Sequence, residues 1–208
     1  MLRKRIKFSF IFIIVVFILM PQSIFTASSA GIEFPDMQGH WAKAYVDALV
    51  ANGAVNGFPD GTFRPGELVT TNQFVTMLIR SQFGVQLPSD DDPAPPYMRT
   101  ALQHGVIDGG DVDAANLPLD RISAARISHM FFSILGEADD SDTSVAEQLV
   151  DYSFCTSCRI HVEQVYTKGV MTGRPGFIFD GDATLTRAEA ATIIMRLLDP
   201  ALRIPPKG

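Results

Sequence analysis

The chain has 208 residues, with 17 Lys and Arg against 23 Asp and Glu and a net charge of −6. That length supports one medium domain or several small modules sharing a core, and the acidic balance makes nucleic acid a poor partner. An anionic ligand stays open, because charges act locally and are screened beyond about 10 Å. The placement of individual arginines therefore matters more than the total.

Arg3, Lys4, Arg5 and Lys7 form a basic head, and Phe8 to Met20 is an apolar run interrupted only by Ser9. The run ends at Pro21, ahead of the small residues Ala27, Ser28, Ser29 and Ala30. This order is that of a secretion signal, with cleavage expected after Ala30 and residues 1–30 removed. The alternative is an uncleaved anchor helix extended through Ile24 and Phe25, since the run falls between the two length classes. Either way the remainder is expected outside the cytoplasm, and loss of the head makes it more acidic still.

Beyond the signal, one unit recurs. Gly53-Ala-Val-Asn-Gly57, Gly105-Val-Ile-Asp-Gly109 and Gly169-Val-Met-Thr-Gly173 share one pattern, and a period of this size marks a supersecondary unit that buries its apolar face against its siblings. Ala42, Tyr45, Val46 and Leu49 predict a helix before the first glycine pair. Val162, Val165 and Tyr166 predict its counterpart before the third. After each pair comes a second helix: Phe74, Val75, Leu78 and Ile79; then Ile127, Met130, Phe131, Ile134 and Leu135; then Ala190, Ala191, Ile194, Leu197 and Leu198. The fold class is all-α, built from three helix-loop-helix repeats at 31–86, 87–138 and 139–200, with a tail at 201–208.

Thr186 and Glu189 have the spacing of a capping box, and Thr70 with Gln73 repeats it. One extra residue in the middle copy brings Ile122-Ser123 into the same register, which makes Ser123 the expected cap there and sets Arg126 where the acid would be. Asp-rich and Pro-rich connectors at Ser89 to Pro96 and Asp139 to Asp142 read as solvated linkers. Neither has the ordered ligand spacing of a calcium loop.

Phe34-Pro-Asp-Met-Gln-Gly-His-Trp41-Ala, Gly57-Phe-Pro-Asp-Gly-Thr-Phe-Arg-Pro65 and Leu185-Thr-Arg-Ala-Glu189-Ala resemble the S-layer homology domain. The resemblance runs from Phe34 to about Leu198 and is weakest in the middle copy. It implies a pseudo-threefold helical prism with a shared core, whose inter-repeat grooves bind secondary cell-wall polysaccharide, commonly pyruvylated. It implies no catalysis and no cofactor. It also implies a glycan-contacting Arg after each cap, matched by Arg187 but replaced by Thr71 and, in the register above, Ala124 in the other copies. Arg64, Arg121 and Arg126 are further cations able to reach a groove. Trp41 is either a sugar-stacking face or a core aromatic. The competing account of Arg187 is an ion pair with Asp180 or Asp182.

Cys155-Thr-Ser-Cys158 in an exported chain reads as a local disulfide, with a redox role or a zinc site completed by His161 as the alternatives. No metal is expected. Three functions compete: wall-glycan binding at the cell surface, an adaptor that binds another envelope protein, and chemistry at the cysteine pair.

Overall fold

The computed structural model describes residues 32–85, 95–151 and 156–206. The secretion signal expected at 1–30 and Cys155 lie outside the described residues. Among them are seven α-helices: α1 (Lys43–Ala51), α2 (Thr71–Phe83), α3 (Pro96–Gln103), α4 (Gly109–Asp113), α5 (Arg121–Leu135), α6 (Arg159–Thr167) and α7 (Arg187–Leu198). None is long and apolar enough to cross a membrane. Short 3-10 turns at Pro35–Met37, Ser144–Gln148 and Pro200–Leu202 complete the regular structure. The all-α expectation agrees with this inventory.

The recurrent glycines have a conformational cause. Gly53, Gly105 and Gly169 follow α1, α3 and α6 with φ of +77°, +68° and +70°, the left-handed region that ends helices and is disfavoured for residues with a Cβ. Gly57 is constrained by space as well: a Cβ there would lie 2.2 Å from the Phe34 ring.

The helices pair in a ring. α2 packs on α3, α5 on α6, and α7 on α1, so each second helix lies against the first helix of the next pair, and the last closes on the first. α2 and α5 also touch α7. The apolar faces merge in one core that includes Phe63, Phe74, Leu78, Phe131, Phe179 and Ile194, each fully buried.

Ahead of α2, α5 and α7 the backbone is extended around the buried Val69, Leu119 and Leu185, and the polar groups of these three need partners. They find them in one another. Val69 N donates to Leu185 O (3.0 Å), Leu185 N to Leu119 O (2.9 Å) and Leu119 N to Val69 O (2.9 Å), a closed circuit. The next positions repeat the rule: Thr71 N to Leu117 O, Arg121 N to Ala183 O, and Arg187 N to Glu67 O.

This circuit makes Val69, Leu119 and Leu185 equivalent, and with them the caps Thr70, Asp120 and Thr186. Ser123, expected from the sequence to cap its helix, is instead the third residue of α5, and its N–H donates to Asp120 Oδ1 at 2.7 Å. The physical reason is that Asp caps as well as Ser or Thr, and that the connection after Gly109 is shorter than its counterparts because α4 compresses it. Thr70 with Gln73 and Thr186 with Glu189 form reciprocal capping boxes.

Candidate ligand grooves

The corrected register puts an arginine directly after the cap in both α5 and α7, Arg121 and Arg187. Both are nearly buried, at 6% and 7% exposure. Arg187 Nε donates to Phe63 O (3.0 Å), and Arg121 Nε to Phe179 O (2.8 Å). Arg121 Nη2 also reaches Thr172 O (2.8 Å). The guanidinium of Arg187 lies 4.6 Å from the Phe58 ring centre and 4.8 Å from that of Phe63, while Arg121 lies 4.9 Å from Phe179. Arg121, and not Ala124, thus holds on α5 the place that Arg187 holds on α7.

Two carboxylates fix the accepting carbonyls in place. Asp36 accepts from Phe63 N (3.0 Å) and Arg64 N (2.7 Å), and Asp151 accepts from Phe179 N and Asp180 N, both at 2.7 Å. They hold Arg64 and Asp180 at a positive φ of 59° each, a conformation costing a side-chain residue roughly 1–2 kcal/mol. Asp36 and Asp151 were not singled out from the sequence. The available signal is the parallel of Phe34-Pro-Asp36 and Leu149-Val-Asp151, an aliphatic or aromatic residue two places before the acid.

Burial holds the Arg187 guanidinium below the usual arginine range, partly opposed by Glu67. Burial does the same to Arg121, reinforced by Arg174. Arginine nonetheless stays charged in proteins. Among the described residues neither cation forms an ion pair, and both donate to neutral carbonyls. The alternative partner proposed for Arg187, Asp180, is instead engaged by Arg174 Nε at 3.0 Å.

Each arginine opens into a groove contributed by its neighbour in the ring. Arg187 faces a space of about 280 Å³ lined by Asn56, Gln73, Thr76 and Arg80. Arg121 faces one of about 190 Å³ lined by Thr172, Glu189, Thr192, Arg196 and Trp41. Position by position these linings correspond, Gln73 with Glu189, Thr76 with Thr192 and Arg80 with Arg196. Arg80 Nε and Arg196 Nε are buried without a hydrogen-bond partner. Trp41 is 61% exposed, which removes the core alternative and leaves an aromatic face beside a cation and hydroxyl-bearing side chains.

The other expected cations are placed differently. Arg64 stacks on Phe58 and pairs with Asp60 (2.9 Å) and Glu67 (3.5 Å) on the surface. Arg126 pairs with Asp111 and Asp108. Cys158, at the start of α6, is disulfide-bonded. His161 Nδ1 meets His129 Nδ1 at 2.7 Å, and no group of three or more metal-ligating side chains occurs among the described residues. Asp139 binds His129, and Asp140 pairs with Lys168.

The family model described as the S-layer homology domain matches residues 33–73 and 157–191, the parts carrying α1 with the start of α2 and α6 with the start of α7. An S-layer protein of Bacillus thuringiensis subsp. finitimus is 29% identical over 186 residues, covering 81% of this chain and 22% of that protein. S-layer protein sap of Bacillus anthracis is 30% identical over the same shares. A cellulosome-anchoring protein of Acetivibrio thermocellus is 41% identical over 49 residues, which cover 24% of this chain and 11% of that protein. The chain therefore spans about a fifth of the length of the S-layer relatives it matches. The chain thus carries S-layer homology domain sequence at residues 33–73 and 157–191 and resembles S-layer proteins along most of its length.

Proposed function

We propose that this chain is a binding module of the cell envelope, and not an enzyme, which holds secondary cell-wall polysaccharide non-covalently in the grooves headed by Arg121 and Arg187. In this reading 31–86, 87–138 and 139–200 are three copies of one unit, residues 1–30 direct export, and the protein resides at the cell surface. The observation that carries it is the pair of equivalent, nearly buried guanidinium groups without carboxylate partners, each beside a polar groove. A desolvated cation lacking a counter-charge favours an anionic group brought by a ligand, and hydroxyl and amide linings suit a sugar. A pyruvylated residue, with its carboxylate, has that chemistry.

The test is co-sedimentation with purified sacculi, before and after extraction of the secondary polysaccharide, using wild type, Arg121→Ala, Arg187→Ala and the double variant. Circular dichroism establishes the folded fraction of each. Each single change is expected to weaken binding tenfold or more, about 1.4 kcal/mol, and extraction is expected to abolish it. A folded double variant that sediments like wild type overturns the assignment.

An adaptor role has one observation in its favour. Val150, Phe177 and Ile204 are 64%, 57% and 52% exposed; Val150 N bonds Phe177 O, and Phe177 and Ile204 line one shallow pocket. Retention on sacculi stripped of polysaccharide but not of protein would favour that reading.

A further inference from the structure

The helix pairs are unequal at their grooves. α5 and α7 begin with Arg121 and Arg187, but α2 begins with Thr71. By the ring order, Thr71 stands where an arginine from the neighbour would face residues 106–109 and α5, the place equivalent to the two grooves above. That place has a cation of its own instead. Arg126 occupies on α5 the position that Thr76 and Thr192 occupy on α2 and α7, where they line the other two grooves.

Arg126 is already engaged. Its Nη2 bonds Asp111 Oδ1, and its Nη1 lies 3.7 Å from Asp108 Oδ2. Asp111 is only 7% exposed, and its other oxygen accepts from Asp108 N at 2.9 Å. Asp108 in turn caps α4 by accepting from Gly110 N at 2.8 Å. An incoming anion would have to displace a nearly buried carboxylate and leave it without its cation, which is strongly unfavourable. The corresponding stretches after Gly57 and Gly173 contain no helix like α4, and among the described residues none of their carboxylates forms an ion pair with Arg187 or Arg121.

We infer that the place beside α5 is locked by the chain itself: Asp111 neutralises Arg126 there, as a ligand's anionic group would neutralise Arg121 or Arg187 in the other two. This rests on the groove reading above and adds to it a stoichiometry and a residue that sets it. The chain has two working sites and one self-occupied one.

Titration calorimetry of the full chain with polysaccharide fragments released from sacculi tests this. Asp111→Asn keeps an oxygen acceptor for Asp108 N while removing the charge that holds Arg126. Wild type is expected to bind two fragments per chain and Asp111→Asn three. The double Arg121→Ala, Arg187→Ala variant is expected to bind none, and one when Asp111→Asn is added. Three sites in wild type, or two in folded Asp111→Asn, overturn the lock while leaving the two-groove reading intact. If Asp111→Asn does not fold, Arg126→Gln serves: an unchanged count of two supports the lock, and loss of a site overturns it. A wild type that binds no fragment takes down both readings together.

Discussion

A single side chain decides which residues face each groove. Asp120 accepts Ser123 N at 2.7 Å and so caps α5, which makes Arg121 the first helical residue and turns it toward Phe179 O. Asp120→Ala is expected to cost about 1 kcal/mol, the usual worth of a cap. Ser123→Ala, at a position whose side chain caps nothing, is expected to stay within about 0.5 kcal/mol. Urea denaturation of both variants checks the difference; equal losses would restore Ser123 as the cap. Arg187 was legible in the sequence because Leu185-Thr-Arg keeps its spacing from Gly173. Arg121 was not, because α4 shortens the connection from Gly109 and the alignment inserts where the chain deletes. Leu119-Asp120-Arg121 matches Leu185-Thr186-Arg187 once Asp is accepted as a cap, and that equivalence was available from capping chemistry alone.

At the scale of elements, the junction of α5 and α6 is the place where acid should be felt first. His129 Nδ1 and His161 Nδ1 stand 2.7 Å apart, a distance that accommodates one shared proton, and His129 Nε2 meets Asp139 Oδ1 at 2.8 Å. Gln164, 1% exposed, holds the following loop by bonds to Asp140 N and O. Burial first, then His129 and Arg126, lower His161 from 6.5 to about 4, with Asp139 opposing. The unfolded chain thus takes up a proton near pH 6.5 that the folded chain refuses until about pH 4. Unfolded chains then bind more protons within that window, so stability rises with pH across it and falls on acidification. Allowing for His161's partial exposure, the loss is about 1–2 kcal/mol. Chemical melts from pH 7 to pH 4 should show this fall in wild type and a shallower one in His161→Gln, since both chains share the carboxylate contribution. Identical slopes would mean that the imidazole pair carries no pH dependence. The sequence showed His161 only as a neighbour of Cys158; its meeting with His129 arises from a helix contact between different pairs, which no local spacing encodes.

For the whole molecule, periodicity tells which face of a helix is buried but not against what. The stripes on α2, α5 and α7 were readable, whereas their partners were not, because each packs on a helix of the next pair. α3 escaped notice, with only Met98 and Ala101 fully covered on a single short face. The ring has a consequence for folding. α1 finds its partner in α7 and α2 finds its partner in α3, while Val69 depends on Leu119 and Leu185 for its backbone bonds. Residues 32–85 expressed alone would therefore contain the sequences of both helices but lose the elements that α1 and α2 pack against. Helices of nine and thirteen residues are at or below the length that stands alone in water, about 12–15 residues even for favourable sequences. The isolated segment is expected to give a far-UV circular dichroism spectrum of largely disordered chain and no cooperative thermal transition, whereas the chain from residue 32 to 206 melts sharply. A helical monomer with a sharp melt from the segment would show that a pair holds its own core, and the closed ring would then contribute binding grooves rather than stability.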